Sequence, residues 1–306
     1  MSADSSVDKS DSDRDETTRI ALKEAGASIE RDDQDRIVRL SFSGAKLTDA
    51  TMVHVATLKH LTELNLAGAK ISDAGMVDVH KLKQLRYLSL SGTMVGDAGI
   101  KHLKSMPKLQ ILILSKSKVT NSGLAALTKL SGLEELYLAR TGISQSGLKH
   151  IAGMTQLTAL GLTATEINDD GLVHLKKLKK LKTLLLRDNN ISDEGLKHLK
   201  GLTKVQRLWL RNTQVTDAGL KLFEKMTQLN WLELDETKIT DKGLTLLKQM
   251  KLLEQLSLRS CDITDSGLKK LKSLKNITSL CMTKTSVTPA GLKELQSSLP
   301  HCQIEI

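Results

Sequence analysis

The chain has 306 residues, of which 40% are hydrophobic and 26% charged, and its net charge is +10. This composition is typical of a soluble folded chain and excludes wholesale disorder. No apolar run approaches the roughly 18 residues of a membrane span, and the first 19 residues lack the apolar segment of a signal peptide. We therefore expect a cytoplasmic protein from the sequence as written, or an exported one (periplasmic or surface) if a signal peptide was removed.

The N-terminal part differs in composition from the rest of the chain. Residues 1–15 are rich in Ser and Asp, which predicts a disordered acidic tail. Residues 16–36 are predicted to form an N-terminal cap. Its helix covers 16–25 and ends at Gly26, and a hairpin with an acidic turn at 32–35 follows.

Residues 37–300 contain eleven units of 24 residues, with no insertion or deletion until the last. We number the positions of each unit from its first apolar residue, which is Ile37 in the first unit and Leu61 in the second. Positions 4 and 6 are apolar, as in a strand, and positions 16, 19 and 22 are apolar, as in a short helix. One strand and one helix cannot bury a core alone, so the units are expected to stack into a solenoid.

Three further positions predict how each helix begins. Position 12 is Ser or Thr in nine units, as at Thr120 and Ser192, and such a side chain can cap a helix. Position 13 is usually Asp, as at Asp97, and this suits the positive end of the helix dipole. Half of the 20 glycines lie at position 15, which we interpret as close packing against the neighbouring turn.

Position 9 is usually Thr, which predicts a polar ladder that satisfies loop main-chain groups.

The last unit breaks the pattern, and residues 301–306 are predicted to form a closing strand. In this strand Ile304 and Ile306 would refill core positions 4 and 6.

The pattern L-x-x-L-x-L-x-x-T/N/C-x-I is similar to the leucine-rich repeat, over residues 37–306. The T-x-I-T-D-x-G-L form, with the ending Leu299, Pro300, Cys302 and Ile304, resembles a class of bacterial leucine-rich-repeat proteins. It is also similar to the cysteine-containing repeats of eukaryotic ubiquitin-ligase receptors. The resemblance implies a right-handed α/β solenoid, or horseshoe, with parallel strands on the concave face and short helices on the convex face.

Side chains at positions 3, 5 and 7 should point away from the core onto the concave face. These are 33 of the 306 positions, yet they hold both Trp and both Tyr residues, which are common anchors of recognition surfaces. One candidate group is apolar and the other is mixed, and Gly161 between them would leave a dip. The partner-binding candidates are Tyr87, Ile111, Ile113 and Tyr137 in the apolar group, and Leu185, Arg187, Arg207, Trp209, Arg211, Trp231, Glu233, Asp235 and Arg259 in the mixed group.

The sequence predicts a non-enzymatic scaffold that binds a protein or extended peptide through this face, as a monomer and without a cofactor. It contains no phosphate-binding loop, nucleophile elbow, CxxC or HExxH motif. Cys281 lies on the same face, but nothing nearby in sequence would activate its thiol. Five histidines share position 18 on the helices, where a spacing of roughly 10 Å is too wide for one metal ion.

Three alternatives remain open. A Lys-rich convex face could bind a polyanion or a cell-surface polymer, because residues 37–306 carry a net charge of +15; no motif for specific nucleic-acid recognition accompanies it. The chain could instead be an adaptor or substrate-receptor subunit, as in a ubiquitin ligase, or a structural spacer. The convex lysines are Lys101, Lys104, Lys149, Lys176, Lys177, Lys179, Lys180, Lys197, Lys200, Lys221, Lys248, Lys269 and Lys272.

Overall fold

The structure is a computed structural model that describes residues 18–20, 22–42 and 46–306. Contacts divide it into two compact units, the first ending at Leu133 and the second beginning at Glu134. Each unit is described by itself. The predicted disordered tail, residues 1–15, lies outside the described residues.

The first unit begins with helical residues 18–20 and 22–24, followed by Gly26 in the left-handed region with φ +85°. An antiparallel hairpin comes next, and three short strands then pair in parallel. The strands are β1 (Ala27–Arg31), β2 (Ile37–Phe42), β3 (Glu63–Asn65), β4 (Tyr87–Ser89) and β5 (Ile111–Ile113). The α-helices are α1 (Met52–Val55), α2 (Asp97–Ile100) and α3 (Asn121–Leu127), with 3-10 turns at Asp49–Thr51, Ala74–Met76, Val79–Lys81 and Lys101–Ser105.

The second unit repeats one strand and one helix with parallel pairing throughout. Its strands are β6 (Glu135–Tyr137), β7 (Ala159–Gly161), β8 (Thr183–Leu185), β9 (Arg207–Trp209), β10 (Trp231–Glu233), β11 (Gln255–Ser257), β12 (Ser279–Cys281) and β13 (Gln303–Glu305). Its helices are α4 (Leu148–Ile151), α5 (Asp169–Leu172), α6 (Asp193–Leu196), α7 (Asp217–Leu220), α8 (Asp241–Leu247), α9 (Asp265–Leu271) and α10 (Pro289–Ser298), with 3-10 turns at Val173–Leu175 and Lys221–Phe223.

The core of each unit is built from the apolar positions that the repeat predicts. In the repeat that begins at Val205, positions 1, 4, 6, 11, 16, 19 and 22 are all at most 1% exposed. Burial of one such side chain contributes about 1.5–3 kcal/mol to folding. The prediction of stacked strand-and-helix repeats is therefore confirmed.

Carboxylates at position 13 connect successive repeats. Oδ1 of Asp217 accepts a hydrogen bond from the main-chain N–H of Thr240 at 2.8 Å, and Oδ2 accepts from its hydroxyl at 2.7 Å. We call this arrangement the Asp ladder. The sequence predicts only a helix-dipole role for these residues, whereas the structure adds a bond to the next repeat. The same pair of bonds joins Asp49 to Ser72, Asp97 to Thr120, Asp169 to Ser192, Asp193 to Thr216, Asp241 to Thr264 and Asp265 to Thr288.

The Asp ladder explains the glycine at position 15. A β-carbon built on Gly123 would lie 2.5 Å from Oδ1 of Asp97, and one on Gly99 would lie 2.6 Å from Oδ1 of Asp73. These distances are well inside van der Waals contact, so a larger residue displaces the carboxylate. The predicted close packing at position 15 is confirmed.

Where position 9 is polar, its side chain closes the loop after the strand, as predicted. The hydroxyl of Thr213 donates to the carbonyl of Leu210 at 2.7 Å. Asn189 donates to the carbonyls of Leu186 and, in the preceding repeat, Leu162. These bonds satisfy carbonyl groups that would otherwise be buried without a partner.

The C-terminal strand differs in part from the expectation. Ile304 pairs with Leu280 of the preceding strand, as the pattern predicts. Ile306, however, is 51% exposed, so the prediction that it refills a core position is wrong.

Candidate functional site

The outer face of β8–β11 carries both tryptophans, on the side opposite the buried leucines. Leu208 and Leu232 are fully buried, whereas Trp209 and Trp231 remain half-buried. The parallel register sets Trp231 beside Arg207 and Glu233 beside Trp209. Alternation along each strand therefore separates core residues from candidate contact residues.

The two indole rings contact each other directly. Their centroids are 4.9 Å apart and the rings meet at 66°, an edge-to-face arrangement. The guanidinium carbon of Arg187 lies 4.0 Å from the centroid of the Trp209 ring. An aromatic pair contributes about 0.5–1.5 kcal/mol beyond its buried area, and a cation over a ring contributes about 0.5–2 kcal/mol. The rings are therefore held in place.

Arg187 is itself anchored by a carboxylate two repeats further along the chain. Nε of Arg187 donates to Oε2 of Glu233 at 2.7 Å, and Nη2 donates to the same oxygen. Glu233 is only 4% exposed, and this burial raises its pKa, against the opposing effect of Arg187. The expectation that Glu233 lies open to a partner is wrong, because the Arg187 side chain covers it.

Asp235 is also buried, at 8% exposure. Its Oδ1 accepts a hydrogen bond from the main-chain N–H of Arg259 at 2.9 Å. The expectation that Asp235 is open to a partner is therefore also wrong. Its carboxylate is used in a hydrogen bond to the loop of the next repeat.

The remaining arginines of this face differ in their pairing. Nη2 of Arg211 lies 2.9 Å from Oε1 of Glu236, and Nη2 of Arg259 lies 3.9 Å from Oε1 of Glu305. Arg207 is exposed and forms no ion pair with any described residue. Leu185, next to Trp209 in the register, is half-buried.

Three residues of the apolar group lie in the first unit. Tyr87 pairs in register with Ile111, and both are half-buried, as is Ile113. Tyr87 also lines a hollow of about 220 Å³ beside Arg39, which is ion-paired at 2.8 Å to both Glu30 and Glu63. The surroundings of Tyr87 are therefore partly polar.

Tyr137 lies in the second unit, and its ring fills the space at Gly161. A β-carbon on Gly161 would lie 2.8 Å from Cδ1 of the ring, and Gly161 is buried. The hydroxyl of Tyr137 donates to Oε2 of Glu135 at 2.8 Å. The predicted dip at Gly161 is therefore wrong, because sequence alternation does not reveal which way a neighbouring ring leans.

Three lysines have a structural role, and one of them, Lys179, belongs to the predicted basic surface. The Nζ atoms of Lys83, Lys179 and Lys275 each donate at 3.1 Å to a carbonyl about one repeat further along, at Ser105, Gly201 and Ser298. Ser105 and Ser298 are the last residues of helical segments, where a cation is favoured.

Other site chemistry is limited in the part of the chain that the structure describes. Across residues 18–20, 22–42 and 46–306, no three His, Cys, Asp or Glu side chains meet as ligands for one metal ion. Cys261 and Cys302 are buried and Cys281 is half-buried. Among the same residues, no helix is both long and apolar enough to cross a bilayer.

Comparisons with known proteins agree with the repeat fold. A family model described as "Leucine Rich repeat" matches residues 57–79, 177–200 and 249–272. An internalin (inlF) from Listeria monocytogenes is similar in structure, with TM-score 0.68 and 20% identity, over 97% of this chain and 95% of that chain. A leucine-rich-repeat protein from Leptospira interrogans has TM-score 0.60 and 21% identity, over 83% of this chain and 74% of its own.

A plant receptor ectodomain has the same kind of fold. The leucine-rich-repeat ectodomain of the Arabidopsis receptor kinase HAESA, solved with an N-terminally extended IDA peptide hormone, has TM-score 0.63 and 17% identity, over 90% of this chain and 50% of that one. The curated proteins gave no match to the sequence. The repeats of this chain are leucine-rich repeats, and the chain resembles bacterial proteins that are built from them.

Proposed function

We propose that this chain is a non-enzymatic binding scaffold that recognises a protein or an extended peptide. The contact surface is the outer face of β8–β11, which the repeat pattern predicts to be concave. The observation that carries the proposal is the edge-to-face pair of Trp209 and Trp231, because the leucines at positions 4 and 6 already build the core.

The rigidity of the tryptophan pair supports this proposal. Arg187 packs on Trp209 and is fixed by two hydrogen bonds to Glu233. Ordering a side chain on binding costs about 0.5–1.5 kcal/mol, and a side chain that is already fixed avoids much of that cost. Half-buried aromatic side chains that are held in this way are frequent energetic centres of protein interfaces.

The comparisons support the proposal at the level of the fold. The HAESA ectodomain was solved with a peptide hormone, and its similarity to this chain covers 90% of the chain. At 17% identity this similarity concerns architecture, so the assignment to Trp209 and Trp231 rests on their own geometry.

The test is affinity capture from lysate and envelope fractions, with bound molecules identified by mass spectrometry. The wild type is compared with the double variant Trp209→Ala/Trp231→Ala. A matched control, Val53→Ala/Val77→Ala, removes two side chains that are at least 50% exposed at helix position 17 in the first unit. Circular dichroism confirms that each variant is folded.

We expect a partner that the wild type and the control retain and the tryptophan variant loses. A partner that all three retain, and that modest salt releases, contradicts the proposal and favours a polyanion on the exposed lysines. Absence of any retained partner favours a structural spacer.

A further inference from the structure

The four arginines on the outer face of β8–β11 differ in whether their charge is balanced. Arg187 pairs with Glu233, Arg211 with Glu236, and Arg259 lies 3.9 Å from Glu305. Within the described chain, Arg207 alone among these four lacks such a carboxylate. In the sequence the four arginines look alike, and only the structure shows which of them is paired with a carboxylate.

Arg207 stands next to the aromatic pair. Its direct neighbours in the register are Thr183 on one side and Trp231 on the other. The nearby acids at positions 5 and 7 of the next repeat are Glu233 and Asp235, which are buried and already hydrogen-bonded. An exposed guanidinium without a carboxylate partner therefore borders a half-buried indole ring.

We propose that Arg207 binds an acidic side chain of the partner, and that an apolar side chain within two residues of it packs on Trp231. This inference rests on the function proposed above and specifies the chemistry of its ligand. The occupant is an extended peptide segment with an Asp or Glu within two residues of a large apolar residue. Neighbouring strands lie about 4.8 Å apart, so one short segment reaches both Arg207 and Trp231.

Charge complementarity determines this choice. A planar guanidinium offers paired N–H donors that match a carboxylate, and such charge-assisted bonds are about twice as strong as neutral ones. The other three arginines already have an internal carboxylate that partly balances their charge, so a ligand carboxylate gains less there than at Arg207. A basic ligand residue at Arg207 would meet an uncompensated like charge, which costs affinity.

The experiment selects peptides without assuming a sequence. A random library of 12-residue peptides is panned on the full chain, and the affinities of enriched peptides are measured on purified variants. The variants are Arg207→Ala, Arg207→Glu and Trp209→Ala/Trp231→Ala. Arg140→Ala is the matched control, because Arg140 is an exposed loop arginine of the same unit that lies off positions 3, 5 and 7.

We expect enriched peptides to contain Asp or Glu within two residues of Trp, Phe or Leu. Arg207→Ala should weaken them about tenfold, which is the scale of one charge-assisted bond. Arg140→Ala should leave their affinity unchanged. Panning on Arg207→Glu should enrich Lys or Arg at the position where the wild type selects the acid.

The outcomes separate this inference from the proposed function. Peptides that depend on the tryptophan pair, carry no acid and ignore Arg207→Ala overturn the inference and leave the proposed function standing. Peptides that ignore the tryptophan variant, or the absence of any enriched peptide, overturn both.

Discussion

Asp217 holds the following repeat through Thr240, with its two carboxylate oxygens accepting from the main-chain N–H at 2.8 Å and from the hydroxyl at 2.7 Å. The same Oδ1 atom occupies the space that a β-carbon on Gly243 would need. The carboxylate of Asp217, the capping residue Thr240 and Gly243 thus form one interface between repeats. Three positions of the sequence pattern therefore share a single physical cause.

Replacement of Gly243 by Ala should destabilise the second unit. The added methyl group meets Asp217 and breaks its bonds to Thr240, and overpacking of this kind costs about 1–3 kcal/mol. Urea denaturation measures the change in the free energy of unfolding. Gly153→Ala is the control, because nothing lies within 4 Å of a β-carbon at that turn. Equal costs for the two substitutions would show that the Asp ladder does not set the requirement for glycine.

Loss of Arg187 should cost far more than loss of Arg211. Arg187→Ala leaves Glu233 buried without its cation, and breaking a buried pair costs about 3 kcal/mol or more. Arg211 and Glu236 are both well exposed, so Arg211→Ala should cost about 0–1 kcal/mol. Thermal unfolding measures both variants. Similar values would mean that the Arg187–Glu233 pair contributes no more than a surface pair.

The same variant should change the optical signal of the site. The chain contains two tryptophans, and both belong to the edge-to-face pair. Arg187→Ala removes the cation over Trp209, which should increase the mobility of that ring and reduce the near-ultraviolet circular dichroism. Arg211→Ala keeps the cation over Trp209 and is therefore expected to keep the wild-type spectrum. An unchanged spectrum in Arg187→Ala would show that Trp231 alone orders the ring.

Glu233 should make stability fall as pH rises. Burial raises its pKa above the ordinary carboxyl value of 4.5, so the folded state binds the proton more tightly than the unfolded state. The free energy of unfolding therefore decreases with increasing pH between 4.5 and the raised pKa. Glu233→Gln cannot ionise, so the difference between wild type and variant should follow this slope. A flat or rising difference would contradict the assignment.

One thiol should react in the native protein. Burial raises the pKa of Cys302 to about 11 and also raises the pKa of Cys261, and a thiol rather than a thiolate is a poor nucleophile. Cys281 is half-buried on the outer sheet face. Titration with a thiol reagent at pH 8 should modify about one cysteine, and Cys281→Ser should abolish that reaction. Rapid modification of all three thiols before unfolding would contradict the burial of Cys261 and Cys302.

The sequence predicts the scaffold well because the same physical demand recurs every 24 residues. Leu208 and Leu232 are buried because alternation along a strand directs their side chains to the core side of the sheet. Trp209 and Trp231 are correctly assigned to the opposite face for the same reason. Local spacing is sufficient for such assignments, since both strand faces are fixed within three residues.

The interactions across the face are not predictable from spacing. Nothing near Glu233 in the sequence indicates that an arginine 46 residues earlier bonds to it. The ring of Tyr137 fills the predicted dip at Gly161 by leaning across to the next strand. These features depend on side-chain rotamers, and alternation specifies a face but not the direction in which a long side chain extends over it.

Arg187 and Glu233 belong to repeats that are separated by a third, which carries Trp209. The hydrogen bonds of the Asp ladder are chemically alike from one joint between repeats to the next. Gain or loss of a whole 24-residue module outside residues 187–233 therefore leaves the remaining joints intact. Gain or loss of a module within residues 187–233 instead separates Arg187 from Glu233 and removes the cation that lies over Trp209. We therefore expect duplication or loss of a module to be tolerated at most joints and to be disruptive within these three modules.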